Sequence, residues 1–570
     1  MNTKRITLII TALLCAIGCR AVPALPVKRT ITRSDGTKIE ATLAGDEYSH
    51  YYITAEGDTL TEDENGIFHP VSAISPRRAF PSKVKKPAKR VNAFPNKGEV
   101  HGLIILAEFS DFPFSTPQIR EITNAQMNQE NYTDGGATGS ARDYFMDQSE
   151  GRFTPVFDVY GPVKLPGSVA SYGRNKTRSL NDADAPQMVV DACNGLAKLI
   201  DFSKYDYDND GNVDLVFIIY SGYNEAQGAN SNTIWPHAWD IYYGGKELTL
   251  NGKNIRKYAC TSELRGYTGK QIDGIGTFCH EFSHCLGLPD LYDTKTSGYA
   301  GPGSWDLMDK GSYNNKSRTP PYMSAYERSF IGWVTPRELV EPGDYTLRHL
   351  DDCHIISNPN NPDECFMLEN RQPVKWDAAL PGHGLLITHI DYDEEVWADN
   401  VVNSSAGGPH PHIQIVPASG TLAKINDAAY PGSANKNEFS CQTNPSPTFW
   451  NGTPARKSIT GIKENEDGTL SFNFSIDPFT PEQPSEPDIP SGITATISDS
   501  APISITTSNR EITITARSVA TVRIVTSTGI EIVSAAMAEG ESRTFTLSPG
   551  IYIVTSRTPN AFTSRTMLLK

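Results

Sequence analysis

The chain has 570 residues, more than one hydrophobic core usually supports, so several domains are expected. Hydrophobic residues make up 38% of it and charged residues 21%, which is typical of folded globular proteins and excludes a wholly disordered chain. Fifty-one basic residues against 66 acidic ones leave a net charge of −15. Such a surface repels phosphate backbones, so no nucleic acid is expected as a partner.

The first 21 residues have the pattern of a secretory signal peptide. Lys4 and Arg5 precede an apolar run over residues 6–17, and small residues follow as far as Ala21. The run is too short to cross a bilayer, and no later run approaches the necessary length. We therefore predict export without a membrane span. Because the residues before Cys19 loosely resemble a lipoprotein signal, a lipid on that cysteine is an alternative.

Changes of composition predict five further segments. Residues 22–90 alternate polar and apolar positions and end in a basic stretch, with seven Lys or Arg among residues 76–90, as expected for a β-rich propeptide with a cleavable linker. Residues 91–338 mix strand-like and helical stretches, whereas 339–476 return to strands and turns. Proline recurs every third residue in the spacer 477–490, and 491–570 are rich in Thr, Ser, Ile and Val. The predicted fold class is an α/β (α+β) core with a β-rich leading propeptide, a following β-rich domain and a C-terminal β-sandwich.

A metal-binding helix is predicted around residues 276–287. His280 and His284 are four residues apart, so they share one helix face and can bind one ion together. Glu281 lies one position further round, where it can act on a water molecule as the catalytic base. Gly287 can take the left-handed conformation that ends a helix, after which Asp290 can return as a third ligand.

With this signature, HExxHxxGxxD, the chain resembles the immune inhibitor A-like zinc metallopeptidases of the metzincin type. The segment 303–313 is similar to the family's Met-turn, and 320–327, 332–334 and 368–372 are similar to further family segments. The resemblance implies a metzincin-like zinc peptidase core, with zinc held by His280, His284 and Asp290, Glu281 as the base, and Met308 below the metal. Tyr313 is a candidate oxyanion donor or a structural residue.

Three other interpretations of the core remain open. In a thermolysin-like fold the third ligand would be a downstream glutamate such as Glu327. The chain could also be a surface adhesin on an inactive peptidase scaffold, although the intact Glu281 argues against this. A zinc hydrolase acting on glycoprotein or peptidoglycan amides would use the same motif. Substrate subsites are expected around residues 104–109 and 221–240.

A second metal site is predicted at an acidic loop. Side-chain oxygens recur with the spacing of a calcium loop, and a glycine follows at the sharp turn. Position twelve of the loop is Phe217 rather than Glu, which indicates a structural ion and not a regulatory EF-hand. The predicted calcium ligands are Asp206, Asp208, Asp210, Asn212 and Asp214.

Export would place the chain in an oxidising compartment, where some of its cysteines are expected to form disulfides. Cys353 and Cys365 flank a short Asn/Pro-rich turn and are the first expected disulfide pair. The leading segment has no cysteine to inhibit the zinc, because earlier cysteines lie in the signal region. Inhibition would then need a carboxylate of Asp46 or Glu47, or steric cover of the site.

The C-terminal residues 550–570 resemble the sorting domain of the type IX secretion system. The resemblance implies that the secretion machinery is a partner and that the protein is secreted or attached to the outer cell surface. An accessory sandwich that binds protein or glycan is the alternative. As a whole, the sequence predicts a monomeric, secreted, zinc-dependent endopeptidase that is made as a zymogen, contains calcium and acts on protein or peptide substrates.

Overall fold

The computed structural model describes residues 20–46, 50–63, 66–71, 94–175, 182–294, 298–477, 503–508, 511–526, 531–547, 550–557 and 562–569. Residues 1–19 of the predicted signal peptide 1–21, the basic linker 76–90 and residues 478–490 of the predicted spacer 477–490 lie outside these ranges. The chain forms two compact units, 1–478 and 479–570.

The leading part of the first unit is an antiparallel sheet in the order β2-β3-β4-β5-β6. Apolar side chains alternate with polar ones along these strands, so one face carries a small core that includes Ile31, Leu43 and Phe68. The short strand β1 does not belong to this sheet. The strands are β1 (Arg20–Ala21), β2 (Lys28–Thr32), β3 (Lys38–Gly45), β4 (His50–Thr54), β5 (Thr59–Glu62) and β6 (Phe68–Pro70).

The next part is a mixed α/β layer structure. Its helices and strands are β7 (Gly98–Glu108), α1 (Ile119–Asn128), α2 (Ala141–Gln148), β8 (Phe153–Lys164), α3 (Val169–Gly173), α4 (Ala185–Leu196), β9 (Asn212–Val213), β10 (Val216–Tyr220), β11 (His237–Asp240), β12 (Leu248–Leu250), β13 (Lys253–Ile255), β14 (Lys257–Ser262), α5 (Gly276–Cys285), α6 (Asn314–Ser317) and α7 (Ala325–Ile331). The main sheet has the order β1-β11-β14-β10-β7-β8. Strands β14, β10, β7 and β8 are parallel, whereas β11 is antiparallel to β14.

Both faces of this sheet are covered, which explains why its central strand β10 is entirely apolar or aromatic. Alternate residues point to opposite faces. Phe217 and Ile219 pack with Phe278 and Phe282 of α5, and on the other face Ile218 packs with residues of α4. Helix α5 is therefore held against the sheet by its apolar side, beside the edge formed by β11.

The remaining part of the first unit is built from two sheets, β15-β17-β18-β19-β20 and β16-β23-β22-β21. One core joins them, in which Leu368 and Ile387 of the first sheet pack with Phe472 of the second. The elements are β15 (Arg337–Glu338), β16 (Gly343–Leu347), β17 (Cys353–Asn358), β18 (Asn361–Arg371), β19 (Gly384–Asp391), α8 (Glu394–Ala398), β20 (Ile413–Ile415), β21 (Glu438–Phe439), β22 (Lys457–Glu464) and β23 (Leu470–Ile476).

The predicted bridge between Cys353 and Cys365 is wrong. In the antiparallel pair of β17 and β18, Cys353 lies opposite Glu369, whereas Cys365 lies opposite Ser357. Four residues of extended chain, about 13 Å, separate the two positions, and a disulfide needs Cα atoms within about 7 Å. Both are free thiols, as are the other cysteines in the described ranges.

The second unit contains two sheets, β24-β25-β28 and β27-β26-β29-β30. Residues of both sheets share one apolar cluster, for example Ile512 and Ile514 with Val522 and Ile524. The strands are β24 (Ile503–Ser508), β25 (Glu511–Ala516), β26 (Ala520–Thr526), β27 (Glu531–Met537), β28 (Ser542–Thr546), β29 (Gly550–Arg557) and β30 (Phe562–Leu569). None of the helices formed by the described residues has the length and the apolar composition that a membrane span requires.

Candidate metal centre and its cleft

Helix α5 carries the predicted motif and ends where the sequence indicated. Its first residue is Gly276, where a Cβ atom would lie 1.8 Å from the carbonyl oxygen of Ser312, so no larger residue fits this contact. At the other end Gly287 has φ 101°, in the left-handed region that favours glycine. Its N–H donates to the carbonyl oxygen of His284, and the chain then turns back toward the helix.

This turn brings three candidate ligands together in a buried cluster. The Nε2 atoms of His280 and His284 lie 3.1 Å and 3.3 Å from Oδ1 of Asp290. One ligand atom from each residue lies within 4.8 Å of the others, which is the size of a single-ion site. The side chain of Glu327 is elsewhere, where its carboxylate accepts the Ser324 N–H and caps α7.

Neighbouring groups fix the orientation of these ligands. Nδ1 of His280 faces the carbonyl oxygen of Leu307 at 2.8 Å, and Nδ1 of His284 faces that of Leu288 at 2.8 Å. A proton on each Nδ1 satisfies these carbonyls and leaves both Nε2 lone pairs directed at the cluster. The two imidazoles outweigh the effect of burial on Asp290 and hold the pKa of its carboxyl well below the usual range.

Asn400, which follows α8, contacts the same carboxylate. Its Nδ2 donates to Oδ2 of Asp290 at 2.5 Å, and its Oδ1 accepts the Asp290 N–H at 2.8 Å. The residue is buried and has φ 54°, a left-handed conformation. The sequence analysis missed Asn400 because 110 positions separate it from Asp290.

Glu281 is fully buried beside the cluster. Burial, and then the negative charge of Asp290, raise the pKa of its carboxyl well above the usual range. Oε1 accepts the N–H of Val22 at 3.0 Å. Oε2 has no hydrogen-bond partner among the described residues, so one oxygen remains available for a further donor.

The segment 20–25, which spans the end of the predicted signal peptide and the start of the predicted propeptide, lies against this site. Strand β1 pairs antiparallel with the edge strand β11, so that Arg20 lies opposite Ala238 and Ala21 opposite His237. Ala21 and Val22 are fully buried. The segment therefore extends the main sheet by one strand, along the edge that faces helix α5.

Side chains of the core hold the carbonyl oxygens of this segment. Tyr292 donates its hydroxyl to the oxygen of Ala21, Trp235 donates Nε1–H to that of Val22 at 2.9 Å, and Tyr313 donates its hydroxyl to that of Pro23 at 2.7 Å. The predicted subsite region 221–240 thus contacts the segment through Trp235 and β11. Tyr292 and Trp235 were not singled out in the sequence, although Tyr292 is only two positions past Asp290.

Two other predicted residues also have defined surroundings. Met308 is fully buried in the core, and its carbonyl oxygen accepts the Leu291 N–H directly after Asp290. Asp46 is buried near His50, whereas the group beside Glu281 is Val22. Glu47 lies outside the described residues.

The acidic loop brings together three of its five predicted ligands. Asp206, Asp208 and Asp210 can each offer an oxygen within 4.8 Å of the others. Oδ2 of Asp206 also accepts a hydrogen bond from Nζ of Lys253 at 2.6 Å, which supplies one positive charge. Oδ2 of Asp214 accepts the Tyr207 N–H, and burial raises the pKa of this carboxyl to about 6. Asn212 Oδ1 accepts from the Asn254 side chain at 3.3 Å.

A buried His-Glu-x-x-His helix with a carboxylate just past its end, next to a sheet edge that pairs with an extended segment, is an arrangement typical of metallopeptidases. Residues 97–334 match the family model described as "Immune inhibitor A peptidase M6, catalytic domain". This range contains the three candidate ligands and Glu281, but neither the leading sheet nor Asn400.

Curated proteins are similar over 30–40% of the chain. Immune inhibitor A of Bacillus thuringiensis subsp. alesti is 26% identical over 269 residues, which are 40% of this chain and 39% of the relative. The pre-pro-metalloprotease PrtV of Vibrio cholerae serotype O1 is 27% identical over 271 residues, 40% of this chain and 29% of the relative. A putative secreted metallopeptidase of Arthroderma benhamiae is 26% identical over 212 residues, 30% and 29% respectively. The chain thus spans less than half the length of these relatives.

Proposed function

We propose that the protein is a secreted zinc-dependent endopeptidase of metzincin type, which is made as a zymogen and hydrolyses peptide bonds of extracellular proteins. The observation that carries the proposal is the contact between Glu281 and a peptide N–H, next to the three converging ligand atoms. The match to a metallopeptidase family model and the similarity to a putative secreted metallopeptidase support it.

The donor set fits zinc. Two neutral imidazoles and one carboxylate are ligands that zinc prefers, and three protein ligands leave a position open for chemistry. His280, His284 and Asp290 would hold the ion, with both imidazoles kept in the required tautomer by the Leu307 and Leu288 carbonyls. A zinc ion in this site supplies Lewis acidity, which polarises a peptide carbonyl and makes water nucleophilic near neutral pH.

Glu281 moves the proton in this proposal. Its carboxylate takes a proton from the attacking water and holds that proton until the C–N bond breaks. The proton then passes to the leaving nitrogen. The Val22 nitrogen, 3.0 Å from Oε1, marks where a leaving nitrogen lies. Asn400 and the two imidazoles keep Asp290 ionised and in place.

The leading segment 22–90 acts in this proposal as an inhibitor that covers the site. Apart from the contacts at Glu281, the N–H of Leu25 donates to the carbonyl oxygen of Ala226 at 2.8 Å. The leading sheet is also joined to the core through His50, whose Nε2 lies 2.8 Å from Oε1 of Glu225. A substrate must displace all these contacts, so cutting the basic linker is expected to relieve inhibition.

The first test compares peptidase activity before and after limited trypsin cleavage of the full chain in 77–90. We expect casein cleavage to rise after the linker is cut, to require one zinc per chain, and to fall at least about 100-fold in Glu281→Gln. Cys285→Ala, at the end of the same helix, is the matched control and keeps activity. A cut, zinc-loaded wild type as inactive as Glu281→Gln would favour the adhesin alternative, and activity only on glycan-linked amides would favour the amide hydrolase.

Two accessory features complete the proposal. A calcium ion bound by Asp206, Asp208 and Asp210 would relieve the repulsion that Lys253 only partly offsets. Calcium titration of the metal-free chain, compared with Asp208→Asn, tests this assignment. The second unit is proposed as a β-sandwich sorting domain recognised by the type IX machinery. Residues 491–570 fused to a periplasmic reporter should then carry it out of a bacterium that has this system.

A further inference from the structure

One peptide bond of the full chain, which joins the predicted signal peptide to the leading segment, lies across the proposed catalytic groups. The nitrogen of the bond between Ala21 and Val22 is 3.0 Å from Oε1 of Glu281, and the carbonyl oxygen of the same bond accepts the Tyr292 hydroxyl. The chain on the carbonyl side of the bond is paired with the edge strand β11. This bond therefore has its nitrogen at the proposed base and its oxygen at a phenolic donor.

We propose that Tyr292 is a catalytic residue, whose hydroxyl donates a hydrogen bond to the carbonyl oxygen of the bond being cleaved. The proposal rests on the proposed peptidase function and adds the group that stabilises the charge on that oxygen. A donor aimed at the oxygen matters more in the transition state than in the bound substrate, because the negative charge develops there.

The surroundings of Tyr292 hold the donor in a fixed position. The residue is only 7% exposed, and it follows Asp290 by two positions. The two preceding backbone N–H groups also donate hydrogen bonds, that of Asp290 to Oδ1 of Asn400 and that of Leu291 to the carbonyl oxygen of Met308. Such a preorganised donor costs little reorganisation at the moment of reaction.

The hydrolysis step balances without a change at Tyr292. The water oxygen forms a bond to the carbonyl carbon while the π electrons move to the carbonyl oxygen, where the Tyr292 hydroxyl stabilises them. Glu281 receives one water proton. When the electrons return, the C–N bond breaks and Glu281 gives its proton to the nitrogen. A carboxylic acid and an amine result, and the Tyr292 O–H bond stays intact throughout.

Tyr313 provides the matched comparison. Its hydroxyl donates to the carbonyl oxygen of Pro23, which is two residues past that of Ala21. No charge develops on this oxygen during cleavage of the preceding bond, so the contact is the same in the bound substrate and the transition state. Loss of the Tyr313 hydroxyl should weaken substrate binding, whereas loss of the Tyr292 hydroxyl should slow the chemical step.

The experiment uses the full chain after cleavage of its basic linker, loaded with zinc. In Tyr292→Phe we expect kcat to fall about 100- to 1,000-fold, with KM within about threefold of wild type and zinc content unchanged. Affinity for a phosphinate peptide, which mimics the tetrahedral state, should fall by a similar factor, whereas that for an uncleavable substrate peptide should not. Tyr313→Phe should instead raise KM with little change in kcat.

A Tyr292→Phe enzyme with wild-type kcat and phosphinate affinity would overturn the assignment, as would the reverse division of effects between the two tyrosines. If Tyr292→Phe loses zinc, Tyr292→His supplies the second measurement, because an imidazole can restore the donor. Zinc-loaded Tyr292→His with no more activity and no tighter phosphinate binding than Tyr292→Phe would also refute the role. If the cut wild type and Glu281→Gln are equally inactive, the peptidase proposal itself fails.

Discussion

Replacing Asn400 with glycine tests whether the β-rich part of the first unit stabilises the metal site. Glycine tolerates the φ of 54° at this position, so the change removes the side chain without adding backbone strain. Two hydrogen bonds to Asp290 disappear, one of them to a charged oxygen. Hydrogen bonds to charged groups contribute about 1.5–3 kcal/mol, which corresponds to about a 10- to 150-fold loss of zinc affinity.

The assay is competition for zinc between the folded protein and a chromogenic chelator. Asn403→Ala is the control, because Asn403 is equally buried and bonds to the carbonyl oxygens of Leu291 and Ile413, but not to Asp290. We expect both variants to be less stable and only Asn400→Gly to bind zinc more weakly. If Asn400→Gly and the wild type bind zinc with equal affinity, Asn400 does not orient the proposed metal ligand Asp290.

Three more outcomes follow from the same contacts. The Trp235→Phe variant loses the buried hydrogen bond to the Val22 carbonyl oxygen. The ratio of the activity of the uncut chain to that of the cut chain should therefore rise about 2- to 10-fold. An unchanged ratio would contradict a role of that hydrogen bond in latency. Free zinc at 100 times its Kd should stabilise the metal-free chain by about 2.7 kcal/mol, measured by thermal unfolding, and Asp290→Ala should show a much smaller gain. Burial lowers the pKa of His237 to about 4 from 6.5, so the unfolded chain binds more protons than the folded one between these values. The stability from this residue is present above pH 6.5 and lost as the pH falls toward 4, by about 3 kcal/mol, and urea unfolding of His237→Gln should lack this dependence.

The sequence predicted the local geometry of the metal helix because short-range rules decide it. Helical spacing places His280 and His284 on one face. Gly287 ends the helix because glycine readily adopts the left-handed conformation that is needed there. The bridge between Cys353 and Cys365 was predicted from their closeness in sequence, and it failed because the antiparallel register separates them. Register depends on the whole hairpin and its packing, which a cysteine count does not report.

The amino-acid sequence by itself therefore determined the His-Glu-x-x-His motif, the position of the proposed base Glu281 within it and the mixed α/β class of the core, since each depends on residues a few positions apart. Only the tertiary structure decided what surrounds that motif. Asn400 reaches Asp290 across 110 positions, and Val22 reaches Glu281 across 259. Such contacts form because distant elements pack into one core. A buried polar group without a hydrogen bond is costly, so most buried polar groups pair with a group that the fold brings near them.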